Sequence, residues 1–143
     1  MKKLKTSWLA LLLCLVATVF GVCFVGCNKK EGYAIGEVSA TDNVVAITIV
    51  EASKDATLLM AMERAQDDEK LTYTISDGMI TSINGTAQGN NCYWILYTDD
   101  SENANTAWGT YTYEGQTLGS SIFGADSLTV KVGCVYVWVY EKF

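Results

Sequence analysis

The last strand of the chain constrains the fold most, because valine alternates with aromatic residues over positions 135–140. Successive side chains of a β-strand point to opposite faces of a sheet. The three valines therefore share one face, and Tyr136, Trp138 and Tyr140 share the other. This pattern predicts a strand with two different faces, and we expect the aromatic face to be packed rather than to form a site.

One helix and several further strands are predicted before this segment. Four apolar residues recur at helical spacing over residues 56–66, which predicts an amphipathic helix with Ser53 or Asp55 as its cap. β-Branched and aromatic residues separated by turn signals predict strands over residues 44–50, 71–75, 79–83, 92–97, 108–113, 128–131 and 135–140. The order predicts an α+β domain, with one helix packed on a mainly antiparallel sheet.

The N-terminal residues have the pattern of an export signal. Three lysines within the first five positions precede an apolar stretch over residues 8–25, and the chain becomes polar directly after Cys27. Residues 24–27, Phe-Val-Gly-Cys, resemble a bacterial lipobox, in which a small residue precedes the lipidated cysteine. We expect residues 1–26 to be a lipoprotein signal peptide and Cys27 to be the lipidation site, with an uncleaved signal anchor as the alternative.

Lipidation at Cys27 predicts the location of the protein. Two acyl chains hold a protein stably at a membrane, whereas one chain holds it only marginally. We therefore expect a lipid-anchored protein at the extracytoplasmic face of a bacterial cell membrane. The polar residues that follow have no sustained period, so residues 27–43 are predicted to be a flexible tether to a domain over residues 44–143.

The charge and the lack of histidine exclude several functions. Residues 27–143 contain 7 basic and 16 acidic residues, a net charge of −9. Such a surface argues against nucleic-acid binding, where Lys and Arg neutralise phosphates. Without histidine, the chain can form no Ser-His-Asp, Cys-His or His-based zinc site. We expect a protein that is not an enzyme and that uses no metal or cofactor.

The two cysteines after the lipobox leave one structural question open. Cys92 and Cys134 would lie outside the cytoplasm, where a disulfide can persist. Two buried thiols that behave as small apolar side chains fit the same sequence. A disulfide and two free cysteines both remain open.

A group of carboxylates follows the predicted strand over residues 92–97. Asp99, Asp100 and Glu102 offer oxygen atoms of the kind that calcium binds. The segment lacks the central glycine and the terminal glutamate of a hand-like calcium loop. We therefore expect a solvated loop here.

Three segments carry a resemblance to a known family: residues 58–65, 78–85 and 93–97. Together they resemble the small C-terminal domain of transcobalamin and intrinsic factor, which is also present in a group of bacterial surface proteins. The resemblance covers residues 44–142. It implies a β-grasp-related domain that binds a ligand outside the cell and performs no catalysis. The loop over residues 98–106 and the segment over residues 115–126 depart from the family pattern.

The densest aromatic group of the sequence predicts a binding site. Exposed aromatic rings offer stacking faces to a flat ligand such as a corrin, a nucleobase or a sugar. The candidate ligand-binding residues are Asn84, Tyr93, Trp94, Tyr97 and Trp108. Strand alternation separates Trp94 from the two tyrosines, so only part of this set can line one surface, and Trp94 also fits a core position.

Two functions are consistent with these observations. The first is a non-enzymatic surface lipoprotein that binds a small soluble ligand, and the family resemblance makes a corrinoid the first class to test. The alternative is an adhesion or protein-interaction module in which an exposed strand edge pairs with a partner. An aromatic-lined concavity near Trp94 and Trp108 favours the ligand, whereas a flat aromatic surface or a free strand edge favours the partner.

Overall fold

The structure is a computed structural model that describes residues 32–143. The predicted signal peptide, the predicted lipidation site Cys27 and the start of the predicted tether lie outside the described residues. Among the elements formed by residues 32–143, no helix has the length and apolar character needed to span a membrane.

Residues 32–143 form one helix, nine strands and two antiparallel sheets. The helix, α1, is Leu58–Asp67. The strands are β1 Ala34–Ala40, β2 Val44–Ala52, β3 Tyr73–Ser76, β4 Met79–Ile83, β5 Thr86–Ala87, β6 Cys92–Thr98, β7 Ala104–Tyr113, β8 Gln116–Ser121 and β9 Val135–Lys142. The main sheet has the order β1-β2-β9-β6-β8-β7, and the small sheet has the order β3-β4-β5. The predicted α+β class, with one helix and mainly antiparallel strands, is confirmed.

Strand β9 lies between β2 and β6, and apolar side chains cover both of its faces. Tyr136 and Trp138 belong to a large core that also contains the buried side of α1 and residues of the small sheet. The valines of β9 belong to a second core with Leu118 of β8. We call these two sides of the main sheet the aromatic face and the valine face. The alternation of valine and aromatic residues is therefore explained by two separate cores.

The helix begins where the segment before β9 supplies hydrogen-bond acceptors. The N–H groups of Leu58 and Leu59 donate to the C=O groups of Leu128 and Ala125 at 2.9 and 2.8 Å. These bonds satisfy donors that a helix start leaves free. The N-cap is Thr57, without a side-chain hydrogen bond, so the predicted caps Ser53 and Asp55 are wrong.

The same contacts explain why residues 128–131 are not a strand. Leu128 uses its C=O group to bond the helix, and Thr129 forms only an isolated bridge with Thr57. Leu128 and Val130 are buried, so their apolar character reflects packing of an irregular segment. The predicted strand over residues 128–131 is wrong for this reason.

Strand β1 shortens the predicted tether. Residues 34–40 pair with β2 along their whole length, and Ala34 is buried. Because β1 is an edge strand, only Ala34 of its seven residues is buried, and its sequence carries no clear apolar period. The prediction of a tether is therefore wrong for residues 34–40, and the domain begins before residue 44.

Strands β7 and β8 form a long hairpin at the other edge. Glu114 and Gly115 form its turn with positive φ angles of 49° and 82°, which glycine adopts readily. The register shifts between Asn105 and Thr110, so β7 bulges before the hairpin tip. Residues 116–121, part of the segment that departs from the family pattern, are a strand of the main sheet.

Candidate functional site

An open cleft of about 410 Å³ lies between β6, the small sheet and the segment after β8. Residues 93–96 of β6 form one wall, residues 78–80 and Gln88 form a second, and residues 120–124 form a third. Trp138 of β9 also lines it. The cleft therefore opens on the aromatic face of the main sheet.

Trp94 is held firmly in the wall of the cleft. Its Nε1–H donates to the C=O group of Thr86 in β5 at 2.9 Å. Its ring lies 5.2 Å, centroid to centroid, from the ring of Tyr140. These contacts fix the indole between the two sheets, so Trp94 is both a core residue and a surface of the cleft.

Trp138 differs from Trp94 in its hydrogen bonding. The residue is 5% exposed, and its Nε1 is the one buried side-chain nitrogen or oxygen of residues 32–143 without a hydrogen-bond partner. A buried donor without an acceptor costs about 1–3 kcal/mol. Most such groups in folded proteins have a partner. The Nε1 atom itself has almost no exposed surface, so the part of Trp138 that lines the cleft is not this donor.

The rim of the cleft is apolar and exposed. Met79, Ile122 and Phe123 line the cleft and are among the exposed large apolar residues of the described chain. The hydroxyl of Ser121 donates to the C=O group of Phe123 at 2.8 Å and turns the chain at this point. Apolar walls with few polar groups are typical of ligand sites.

Two of the five predicted ligand residues, Tyr93 and Trp94, line this cleft. Tyr93 is exposed, and its ring lies 6.0 Å from that of Phe143. The other three, Asn84, Tyr97 and Trp108, lie elsewhere.

Tyr97 belongs to the core of the valine face. Its ring is 5.6 Å from that of Tyr111, and its hydroxyl donates to Glu141, whose two carboxylate oxygens both lie 3.1 Å away. Burial first, and then the hydrogen bond and negative charge of Glu141, raise the pKa of Tyr97 to about 12. The residue is thus a neutral structural phenol.

Asn84 closes the turn between β4 and β5. Its Oδ1 accepts from the N–H of Thr72 at 2.9 Å, and its own N–H donates to the C=O group of Thr72 at 2.8 Å. Asn84 and Gly85 have φ angles of 48° and 82°. The Asn-Gly pair therefore forms the predicted reversal, and its amide serves the turn.

Trp108 lies in the bulge of β7 and is 67% exposed. The sequence correctly predicts a surface position, but Trp108 is not among the residues that line the cleft. Of the two tryptophans that were expected beside a concavity, Trp94 lines the cleft and Trp108 does not.

Twelve of the fourteen residues that line the cleft were not predicted as site residues, and among them are Met79, Ile122, Phe123 and Trp138. Met79 and Phe123 come from separate segments, and no pattern in the sequence links the apolar residues of one segment to those of the other. Trp138 was expected to be only a packed face. Its unused donor has no signal in the sequence, because it depends on the neighbours that the fold supplies.

Asp100 lies outside the cleft, and its carboxylate is bonded within the chain. It accepts from Asn103 Nδ2 at 2.6 Å and from the N–H of Glu102 at 3.1 Å, and it pairs with Lys131. Within residues 32–143, no group of three or more acidic, cysteine or histidine residues is arranged to hold a metal ion. The oxygens of Asp100 therefore stabilise the loop that was expected to be solvated.

The two cysteines are free, so a disulfide between Cys92 and Cys134 is not formed. Cys92 begins β6 opposite Lys142, whereas Cys134 directly precedes β9. The length of β9, roughly 25 Å at the usual rise of a strand, separates them. A disulfide requires Cα atoms closer than about 7 Å.

The cleft, its aromatic wall and its apolar rim are thus built from residues 78–80, Gln88, residues 93–96, residues 120–124 and Trp138. Comparisons of the chain with protein-family models, with curated proteins and with solved structures give no match in any of the three.

Proposed function

We propose that this protein is a non-enzymatic lipoprotein, anchored through Cys27 at the extracytoplasmic face of a bacterial membrane, whose domain binds a small soluble ligand in the cleft. The N-terminal pattern supports the anchor. The resemblance of residues 44–142 to the transcobalamin C-terminal domain supports a β-grasp-related binding module and makes a corrinoid the first ligand to test.

One observation carries the binding proposal, namely the aromatic-walled cleft beside an exposed apolar rim. Trp94 and Trp138 supply the aromatic wall, and Met79, Ile122 and Phe123 supply the rim. A ligand with an apolar body gains by covering both. Once a ligand covers the rim, water is excluded from the contact between the ligand and the aromatic wall.

A matched pair of substitutions tests the cleft. Met79 on the rim and Val132 outside the cleft are each 60% exposed. Replacement of either residue by lysine is therefore expected to change the free energy of unfolding by a similar amount. The full chain in detergent micelles is screened by thermal shift with cobalamin, cobinamide, nucleosides and aryl glycosides. We expect at least one class to raise the melting temperature of the wild type and Val132→Lys, with a much smaller rise in Met79→Lys.

Three outcomes of this screen are decisive. A compound that stabilises all three chains equally does not use the cleft. Absence of any shift across the screen overturns the proposal of a small-ligand receptor. A positive shift from another class without one from the corrinoids removes the corrinoid and keeps the cleft.

A second candidate, a protein-interaction module, is favoured by one observation. Residues 93–96 of β6 have strand β9 on one side, but the described chain supplies no paired strand on the other side. Free strand edges are sites where proteins add a strand from a partner.

A further inference from the structure

Strand β6 is paired completely on one edge and only at its ends on the other. Strand β9 pairs with every residue of β6. On the opposite edge β8 pairs only with Tyr97 and Thr98. Gly89 and Cys92 exchange two backbone hydrogen bonds of 2.9 and 3.0 Å at the far end. The edge therefore has a gap over residues 93–96, about 13 Å long at the usual rise per residue.

The backbone groups of Trp94 and Leu96 point into this gap. Cys92 directs its N–H and C=O groups to Gly89, away from β9. Alternate residues of an antiparallel strand direct these groups to the same edge. Trp94 and Leu96 therefore present their backbone groups to the gap, whereas Tyr93 and Ile95 bond to β9.

The gap opens into the cleft, because residues 93–96 form one of its walls. Strand β8 stops pairing with β6 beyond Ser120, and the N–H of Ile122 instead donates to the C=O group of Asn103 at 2.9 Å. The two strands part at this point, and the cleft lies between them. Backbone donors and acceptors that line an apolar cleft favour a partner that completes their hydrogen bonds.

The charge beside the cleft is negative. The carboxylate of Asp126 lies against the backbone of Gly78 and Gly124, which both line the cleft. Asp126 is exposed, and residues 32–143 carry 5 basic and 15 acidic side chains, a net charge of −10. A positively charged group on the ligand is therefore favoured at this end.

We propose that the cleft takes an extended peptide segment of about four residues, which adds as a strand to Trp94 and Leu96 and places a basic side chain near Asp126. Backbone pairing supplies the directional contacts, and alternate apolar side chains of the peptide cover the aromatic wall. This inference rests on the proposed function, since it assigns a ligand class to the same cleft.

The test uses the full chain in detergent micelles and the peptide Leu-Thr-Leu-Lys-amide, which carries fluorescein through a flexible linker at its N-terminus so that the lysine keeps its charge. Binding is measured by fluorescence anisotropy, and we expect saturation in the micromolar range. Two control peptides carry N-methyl groups on the odd or on the even residues, which removes the backbone donors on one edge only. We expect one control to bind about tenfold more weakly and the other to bind nearly as well as the parent.

Hydrogen exchange locates the contact on the protein. Bound peptide slows exchange of the Trp94 and Leu96 amides, while those of Tyr93 and Ile95, already bonded to β9, change little. Val132→Lys binds the peptide like the wild type, and Met79→Lys binds it more weakly.

Two results overturn the inference. The first is equal binding of both N-methylated controls, and the second is an absence of peptide binding. Neither result affects the small-molecule screen, so a positive screen with a negative peptide titration leaves the cleft as a small-ligand site. Failure of both measurements removes the proposed function as well.

Discussion

The ammonium group of Lys131 lies 3.1 Å from a carboxylate oxygen of Asp100, and this ion pair joins the segment before β9 to the loop after β6. Only 1% of the Asp100 side chain is exposed, whereas 41% of the Lys131 side chain is. Lys131 also contacts Glu102 at 2.8 Å, and the Glu102 side chain is 75% exposed. One cation therefore serves a buried and an exposed carboxylate, which provides an internal comparison.

Replacement of Asp100 by Asn is expected to lower the free energy of unfolding by about 2 kcal/mol, because charge-assisted hydrogen bonds become neutral in a buried site. The control Glu102→Gln removes an exposed charge and is expected to cost less than about 0.5 kcal/mol. Urea denaturation of the three chains measures both values. Equal losses in the two variants would show that the Asp100 site is solvated.

The hydrogen bond from Tyr97 to Glu141 predicts a loss of stability in alkali. Burial and this bond raise the pKa of Tyr97 from its usual 10.0 to about 12. The unfolded chain thus releases the proton first, so the contribution of Tyr97 is complete below pH 10 and is lost as the pH rises from 10 to about 12.

Urea midpoints of the wild type and Tyr97→Phe between pH 8 and pH 12 test this. We expect the wild type to be more stable by about 1 kcal/mol at pH 8. The difference should shrink above pH 10, since the other tyrosines titrate in both chains. A difference that stays constant to pH 12 contradicts the raised pKa.

The elements with a strong hydrophobic periodicity could be predicted from the sequence, whereas strand β1 at the edge of the sheet could not. The two faces of β9 and the apolar stripe of α1 face filled cores, so burial selects their residues at regular spacing. The segment over residues 128–131 is as apolar as a strand, yet its backbone bonds the helix instead of a neighbouring strand. An apolar composition indicates that a segment is buried, but it does not indicate which of its backbone groups are paired.

The candidate site was predicted only in part for a related reason. Tyr93 and Trp94 lie in one aromatic cluster of the sequence, and both line the cleft. The opposite wall comes from residues 120–124, and its position depends on where β8 parts from β6. Strand alternation, which the sequence does predict, places Tyr93 and Tyr97 on the face opposite to Trp94, but the choice of the face that carries the cleft requires the fold.

Gly36 tests whether β1 is an integral strand of the sheet. A Cβ atom at this position would overlap the Cγ2 atom of Ile47 in β2. Gly36→Ala is therefore expected to lower the free energy of unfolding by about 2 kcal/mol through overpacking. The exposed Ser39 of the same strand provides the control, and Ser39→Ala is expected to change stability by less than about 0.5 kcal/mol. Equal and small effects in urea denaturation would mean that residues 34–40 do not dock on β2.

The two tryptophans of the cleft predict a difference between otherwise similar substitutions. Replacement of either residue by Phe removes a similar apolar area from the core. Trp94→Phe also leaves the C=O group of Thr86 without its donor, whereas Trp138→Phe removes a donor that has no partner. Trp138→Phe is therefore expected to be more stable than Trp94→Phe by about 1–2 kcal/mol in urea denaturation. Equal losses, or a larger loss in Trp138→Phe, would show that the Trp138 indole has an acceptor in solution.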